Sequence, residues 1–216
     1  ENLFSNVKRI RPIGLNSVKS KDLNKSDFIT KDKIQSTNII GIIEGKIITE
    51  HILEDIPIID GDKAPDISRD LVRVSVIERH GKNNNIANGF VRGFGLKKGA
   101  VASTVAHDHH NIVSIGVEYE DMALACNRIK EIDGGFVIAS QGKIISELPL
   151  PIAGLMSLES FETVRNQLVE LRKSAKDLGI ILEEPFLQLA FLALPVIPSL
   201  KITDFGMVDV EKFKII

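Results

Sequence analysis

Between residues 71 and 117 the sequence runs through short apolar stretches, at 71–79, 86–94, 100–106 and 111–117, each set off by polar or glycine-rich turns. Stretches this short, bounded by turn signals, suit strands better than helices. In the first of them Leu71, Arg73, Ser75, Ile77 and Arg79 alternate with Val72, Val74, Val76 and Glu78, a strand with mixed faces. At residue 118 the period changes. Met122, Leu124, Ala125, Ile129 and Ile132 can share one face of a helix over 118–132. Glu120 and Asp121 fall in its first turn, where the helix dipole favours acids, and Gly134-Gly135 ends it. Residues 136–140 and 143–148 then flank a Gln141-Gly142 turn, a hairpin signature. Strands, one helix, more strands and then helices predict an α+β fold with a mixed or antiparallel sheet and packed helices.

The flanks are read in the same way. Residues 156–178 form the clearest helix, with Phe161, Val164, Leu168, Leu171 and Ala175 as its apolar stripe and Gly179 where a C-terminal cap belongs. A short apolar helix is expected at 185–194, and a turn into a last short strand at 203–209. Before residue 65 the chain is polar and lysine-rich, with a short strand expected at 7–10 and a small β hairpin formed by 38–43 and 46–53 around Gly45. Asp60-Gly61-Asp62 and Ala64-Pro65 are loop signals that place a boundary near residue 65. The sequence opens on Glu1-Asn2-Leu3-Phe4 without an initiator Met, and a fragment of a longer protein is expected.

Composition narrows the function classes. A chain of 216 residues with 44% hydrophobic residues can bury a core without staples. A net charge of -2, no Trp and one Tyr point away from nucleic acid. The longest apolar run, 187–197, is interrupted by Gln188 and Pro195 and is shorter than the roughly 18 residues that span a bilayer, so no membrane partner is expected. The single cysteine, Cys126, excludes an internal disulfide and fits a reducing cytoplasm. Placed within a helix beside Ala125, it is expected to be a small buried residue rather than a nucleophile.

The densest polar cluster is His107-Asp108-His109-His110-Asn111, between two apolar strands. Loops held by a rigid sheet are common sites of function. In an extended segment His107 and His109 would point one way and Asp108 and His110 the other, so His107 and His109 form a possible metal pair, without a third ligand at a defined spacing. The bland alternative is a turn whose histidines bond to carbonyls. A second cluster, Glu78-Arg79-His80, closes the first strand. A Glu beside a His suits acid–base work, and the bland alternative is a charged strand end in water. Gly89, Gly93, Gly95 and Gly99 lack the spacing and the βαβ setting of a dinucleotide fingerprint, and are read as points of close strand approach.

Several stretches together resemble the C-terminal domain of the adenine deaminase family. They are Ile40-Gly41-Ile42-Ile43 with Thr49-Glu50-His51; Val76-Ile77-Glu78-Arg79-His80; residues 89–105 (GFVRGFGLKKGAVASTV); 106–112 (AHDHHNI); Asp121-Met122-Ala123-Leu124-Ala125; 148–156 (LPLPIAGLM); and 191–200 (FLALPVIPSL). They cover about residues 38–210 in the family's order. In the central loop the family pattern is Ala-His-Asp-Ser-His-Asn. His107, Asp108, His110 and Asn111 match it, and His109 stands where the family has Ser.

The resemblance implies an amidohydrolase that converts adenine and water to hypoxanthine and ammonia in purine salvage. It also implies a divalent metal, Mn or Fe, held in a TIM-type barrel that precedes this region. No TIM barrel is expected in this chain, because eight β/α units are not present, and no metal ligand is carried over onto it. Residues 1–65 are expected to be a remnant of the family's small β domain and a linker, and 66–216 the C-terminal α+β domain. The expected partners are the missing N-terminal barrel, adenine as substrate of the whole enzyme, and further copies in a homo-oligomer. Active-site support falls on His107, Asp108, His110, Asn111, Glu78 and His80. The competing readings are a stand-alone binding or assembly module without chemistry, and a small metal-binding protein using His107, His109 and His110.

Overall fold

The glycines, alanines and β-branched residues of the middle region form a sheet covered on both faces. The structure is a computed structural model that describes residues 13–31 and 34–216; the strand expected at 7–10 lies outside them. In chain order the elements are β1 (Ser36–Ile42), β2 (Thr49–Asp55), β3 (Ile58–Ile59), β4 (Asp62–Lys63), β5 (Leu71–Ile77), β6 (Ile86–Arg92), β7 (Ala100–Ser103), β8 (Ile112–Gly116), α1 (Tyr119–Glu131), β9 (Gly135–Ser140), β10 (Lys143–Pro149), α2 (Phe161–Asp177), α3 (Pro185–Phe191), β11 (Leu200–Thr203), β12 (Gly206–Asp209) and β13 (Lys214–Ile215).

Eight strands make one sheet in the order β10-β9-β7-β8-β5-β6-β1-β2. Every pairing in it is antiparallel except β1 with β6, which makes the sheet mixed. The fold is α+β, as expected, and the described residues form no barrel. The β1–β2 hairpin continues the main sheet through β6, so the loop around residue 65 does not separate it from the strands that follow.

Alternation along β5 is explained by cover on both sides. Val72, Val74 and Val76 enter one core with Val101, Val113 and Ile115, closed by Leu171 and Ala175 of α2 and Phe186 and Leu189 of α3. Ile77 enters the other core with Ala100, Ala102, Ile112 and Ala139, closed by Met122, Ala125, Cys126 and Ile129 of α1 and by Val18, Leu23 and Phe28. Small residues line the α1 side because the helix lies close. A Cβ on Gly116 would strike Met122. Cys126 is fully buried, and burial pushes its thiol up to about 12, which makes it a poor nucleophile.

The long helix begins later than its periodicity predicts. Ser160 caps it, its hydroxyl accepting the Thr163 N–H at 3.2 Å, so residues 156–160 stay outside. Of the expected stripe, Leu171 and Ala175 are buried and Val164 and Leu168 half-buried, whereas Phe161 is 77% exposed. The buried face is confined to the second half of α2. Gly179 follows with φ +100° and ends the helix as expected. At the other hairpin, Gln141 and Gly142 sit at positive φ, and the buried Asp121 carboxylate accepts both their N–H groups at 2.9 and 2.8 Å.

Candidate functional site

β8 begins where its two antiparallel neighbours, β5 and β7, both end. That single end of the sheet therefore gathers 78–80, the 104–111 connection and, from the far end of the sequence, the β11–β12 turn at Asp204. The hub is Arg79, only 2% exposed. Its guanidinium donates to the His110 carbonyl, to Ser17 Oγ at 3.1 Å and to the Ala153 carbonyl at 2.8 Å. Its own carbonyl accepts the Lys19 N–H at 2.6 Å. A Cβ on Gly154 would come within 3.0 Å of Arg79 Cζ, which is one physical reason for Gly in the Pro-Ile-Ala-Gly stretch. Burial lowers the pKa of Arg79, against the pull of Asp133 and Glu78.

Glu78 and Arg79 are buried, which corrects the reading of a charged strand end in water; only His80 is exposed. The Glu78 carboxylate accepts the N–H groups of His80, Lys82 (3.0 Å), Asn83 (3.3 Å) and Asn84 (3.3 Å), closing the 80–84 turn. Burial raises its pKa, but these bonds outweigh that effect and the net shift is downward. A carboxylate so held is ionised and fully used by backbone, a structural role rather than acid–base work.

Asn111, 3% exposed, is also an architectural residue. Its Oδ1 accepts the Arg79 N–H at 3.3 Å, so its Nδ2 is the donor, to Asp204 Oδ1 at 3.1 Å. The Asn111 N–H donates to His109 Nδ1 at 3.1 Å. An N–H can only donate, so Nδ1 is unprotonated and His109 is the neutral tautomer with its proton on Nε2. The side chain two residues back accepting a backbone N–H is the geometry of an Asx or Ser turn, here made by an imidazole.

The histidines face different surroundings. Burial lowers the His109 pKa; Asp204 opposes this, while His110 and His80 add to it. Burial, then Arg79 and His107, lower that of His110. Both imidazoles are thus held neutral near pH 7. His110 sits at φ +48° with its N–H on the Ala106 carbonyl at 2.8 Å. His80 Nε2 meets the His109 carbonyl at 2.8 Å. His107 donates its N–H to the Ala190 carbonyl at 3.1 Å and stacks on Phe191, ring centroids 4.9 Å apart. Asp108 is exposed at the tip. Phe191 also lines a largely apolar cavity of about 250 Å³ with Ile47, Leu182, Leu187 and the charged Glu44, Lys46, Glu183 and Glu184, so the loop meets this groove through the Phe191 ring.

The structure thus brings all six expected residues to one end of the sheet. Sequence reasoning left out Arg79 as a site residue, although its place between Glu78 and His80 marked it, and Asp204, for which no spacing gave a signal. Among the described residues no three His, Cys, Asp or Glu side chains, the three loop histidines included, converge where a metal could sit. No helix among the described residues is long and apolar enough to cross a membrane.

The family model described as adenine deaminase C-terminal domain matches residues 46–214, the interval that holds every residue of this site except the strap at Ser17 and Lys19. The chain belongs to that family. Its similar relatives include the adenine deaminase of Cereibacter sphaeroides, 58% identical over 96% of this chain and 37% of the relative. That of Brucella anthropi is 57% identical over 99% of the chain and 38% of the relative, and adenine deaminase 1 of Rhizobium johnstonii is 58% identical over the same shares. The chain therefore spans well under half the length of the curated relatives it matches.

Proposed function

We propose that this adenine deaminase C-terminal domain is part of an enzyme that hydrolyses adenine to hypoxanthine and ammonia. Within it, the 107–111 loop faces the mouth of an active site built by the rest of the protein. The observation that carries this reading is the loop itself: neutral imidazoles and a half-exposed His107 held at one end of a rigid sheet, on a buried arginine, beside an apolar groove. A neutral imidazole both donates and accepts, which suits the ring nitrogens and amino group of a purine. Glu78 and Asn111 hold the loop, and His107, His110 and Asp108 present it. Among the described residues no group of three ligands suits the expected Mn or Fe, and in this reading its ligands belong to the rest of the protein. Purine salvage, a cytoplasmic location and self-association belong to the same reading; the exposed Met156, Leu158 and Phe161 supply apolar surface for the last.

The test is His107→Ala in the full-length protein. Catalytic efficiency toward adenine should fall at least about tenfold, roughly 1.4 kcal/mol of transition-state stabilisation, with metal content retained. Loss of activity only in proportion to loss of folded protein would make the loop structural and remove the proposal.

A further inference from the structure

The Asp204 carboxylate is 9% exposed although it sits in the turn between β11 and β12, next to a Phe205 that is 65% exposed. No lysine or arginine lies within ion-pair distance of it among the described residues. Its partners are two amides: Asn111 Nδ2 at 3.1 Å and Asn83 Nδ2 at 3.5 Å. A carboxylate buried without a cation is costly and is kept only where its hydrogen bonds hold something in place. Here the bonds converge on the candidate site. Asn83 belongs to the turn closed by Glu78, and Asn111 ends the histidine loop. Because Asn111 Oδ1 is taken by the Arg79 N–H, its Nδ2 has only the aspartate to satisfy it on the described surface. The Asn111 main chain in turn fixes the ring of His109.

We propose that Asp204 is a positioning residue for the 107–111 loop: through Asn111 it holds the turn that presents His107 and His110, and it places a negative charge behind the imidazole of His109. This rests on the reading that the loop faces the active site. The titratable groups facing His109 are Asp204, His110 and His80, and those facing His110 are Arg79, His107, Asp108 and His80. The aspartate is thus the anion that favours a proton on His109, whose protonation would break the Nδ1 contact and open the turn. Removing its charge makes that protonation harder.

The experiment compares Asp204→Asn, Asp204→Ala and His107→Ala in the full-length protein, measuring kcat/KM for adenine from pH 5 to 9 together with thermal unfolding. Asp204→Ala, which leaves Asn111 without an acceptor, should lower kcat/KM at least about fivefold per folded molecule. Asp204→Asn keeps an acceptor and the shape. It should lose less, about twofold, while its acid limb moves to lower pH because the anion that favours imidazolium is gone. Loss that tracks unfolded protein, with the acid limb unmoved in Asp204→Asn, would overturn the inference, as would wild-type kcat/KM in Asp204→Ala. The two proposals fail separately. A silent His107→Ala removes the active-site reading of the loop, whereas a tenfold loss there with silent Asp204 variants removes only the role of Asp204.

Discussion

Two arginines, Arg73 within β5 and Arg79 just past its end, are almost equally hidden, yet they meet opposite surroundings. Arg73, 0% exposed, lies in a closed network. It donates to Thr30 Oγ1 at 2.9 Å, Asp62 at 3.1 Å, the Lys63 carbonyl at 2.6 Å and the Tyr119 hydroxyl at 2.7 Å, and lies 4.3 Å from the centroid of the Phe90 ring. Tyr119 completes the circuit by donating to Asp62 at 2.6 Å; burial above all holds its phenol up at about 12. Arg79 has no carboxylate within ion-pair distance among the described residues; its acceptors are two carbonyls and a hydroxyl from three separate loops. One cation is neutralised and joins the α1 side of the core to its cover. The other keeps its charge behind a loop of histidines and helps hold His110 neutral. Buried charge is architecture around Arg73 and conditions a surface around Arg79.

The largest effect that could break this comparison is on stability. Arg73→Met removes one partner of a buried pair and leaves Asp62, whose side chain is 15% exposed, without its cation. It should destabilise the domain by about 3–5 kcal/mol in urea titrations. The activity of the folded fraction in the full-length protein should stay at the wild-type level. A cost under about 1 kcal/mol would mean that the Arg73 network contributes no more than a surface pair.

Lys201 sharpens the comparison as a third buried cation, with less compensation than either arginine. Lys201 is 0% exposed and its ammonium donates to the Ile47 carbonyl at 2.8 Å, with no carboxylate within ion-pair distance among the described residues. Burial lowers its pKa from 10.5 to about 8. Above pH 8 the folded chain gives up this proton while the unfolded chain still holds it, so stability rises with pH from about 8 to 10.5 and the penalty is fully present below 8. The lost pKa range corresponds to about 3 kcal/mol. Urea midpoints at pH 7 and pH 9.5 should differ more for the wild type than for Lys201→Met, and Lys201→Met should be the more stable at pH 7. Equal pH slopes for the two proteins would show the ammonium to be solvated.

Arg79→Lys should come next. It keeps the charge but cannot span the carbonyls of His110 and Ala153 together, and an unmade bond to a buried acceptor costs about 1–3 kcal/mol. Unlike Arg73→Met, it should lower the activity of folded full-length protein. If both arginine variants lose activity only with folded protein, the two networks do the same job and the comparison collapses.

Much of this was legible in the sequence because it depends on local period and turn chemistry. The strands from 71 to 117, α1 with its small buried Cys126, and the Gln141-Gly142 hairpin follow from spacings within about a dozen residues. What depends on contacts across the chain was not legible. Phe161 fits the stripe of α2, but full burial begins only at Leu171, after the half-buried Val164 and Leu168, and the first turn stays in solvent, so the periodicity extended one turn too far. The polar loop stood out through the density of His107, Asp108, His110 and Asn111. Its supports did not: Asp204 reaches Asn111 across 93 positions, and Ser17 reaches Arg79 across 62. Glu78 and His80 look alike as strand-end polar residues, and only the fold gives one to the backbone and the other to solvent.

The smallest predicted effect asks whether the loop on the Arg79 side is shaped by a turn or by histidine chemistry. The imidazole of His109 serves the backbone through Nδ1, which accepts the Asn111 N–H at 3.1 Å. A serine hydroxyl at the same position can accept that N–H two residues on, as Ser and Thr do in turns of this kind. A Ser at this position, as the family resemblance implies, would build the same turn by different means. His109→Ser should change stability by less than about 0.5 kcal/mol, within the range of a tolerated substitution, and leave kcat/KM of the full-length protein within about twofold at pH 8. His109→Ala supplies no acceptor and should cost about 1 kcal/mol more than the serine variant, the value of one hydrogen bond. Urea unfolding of the two variants side by side reads this difference directly. Equal costs for Ser and Ala would show that the turn does not need a side-chain acceptor. Loss of metal or of activity in the serine variant alone would make the imidazole itself the functional group, and the likeness between His109 and a turn-forming serine would be lost.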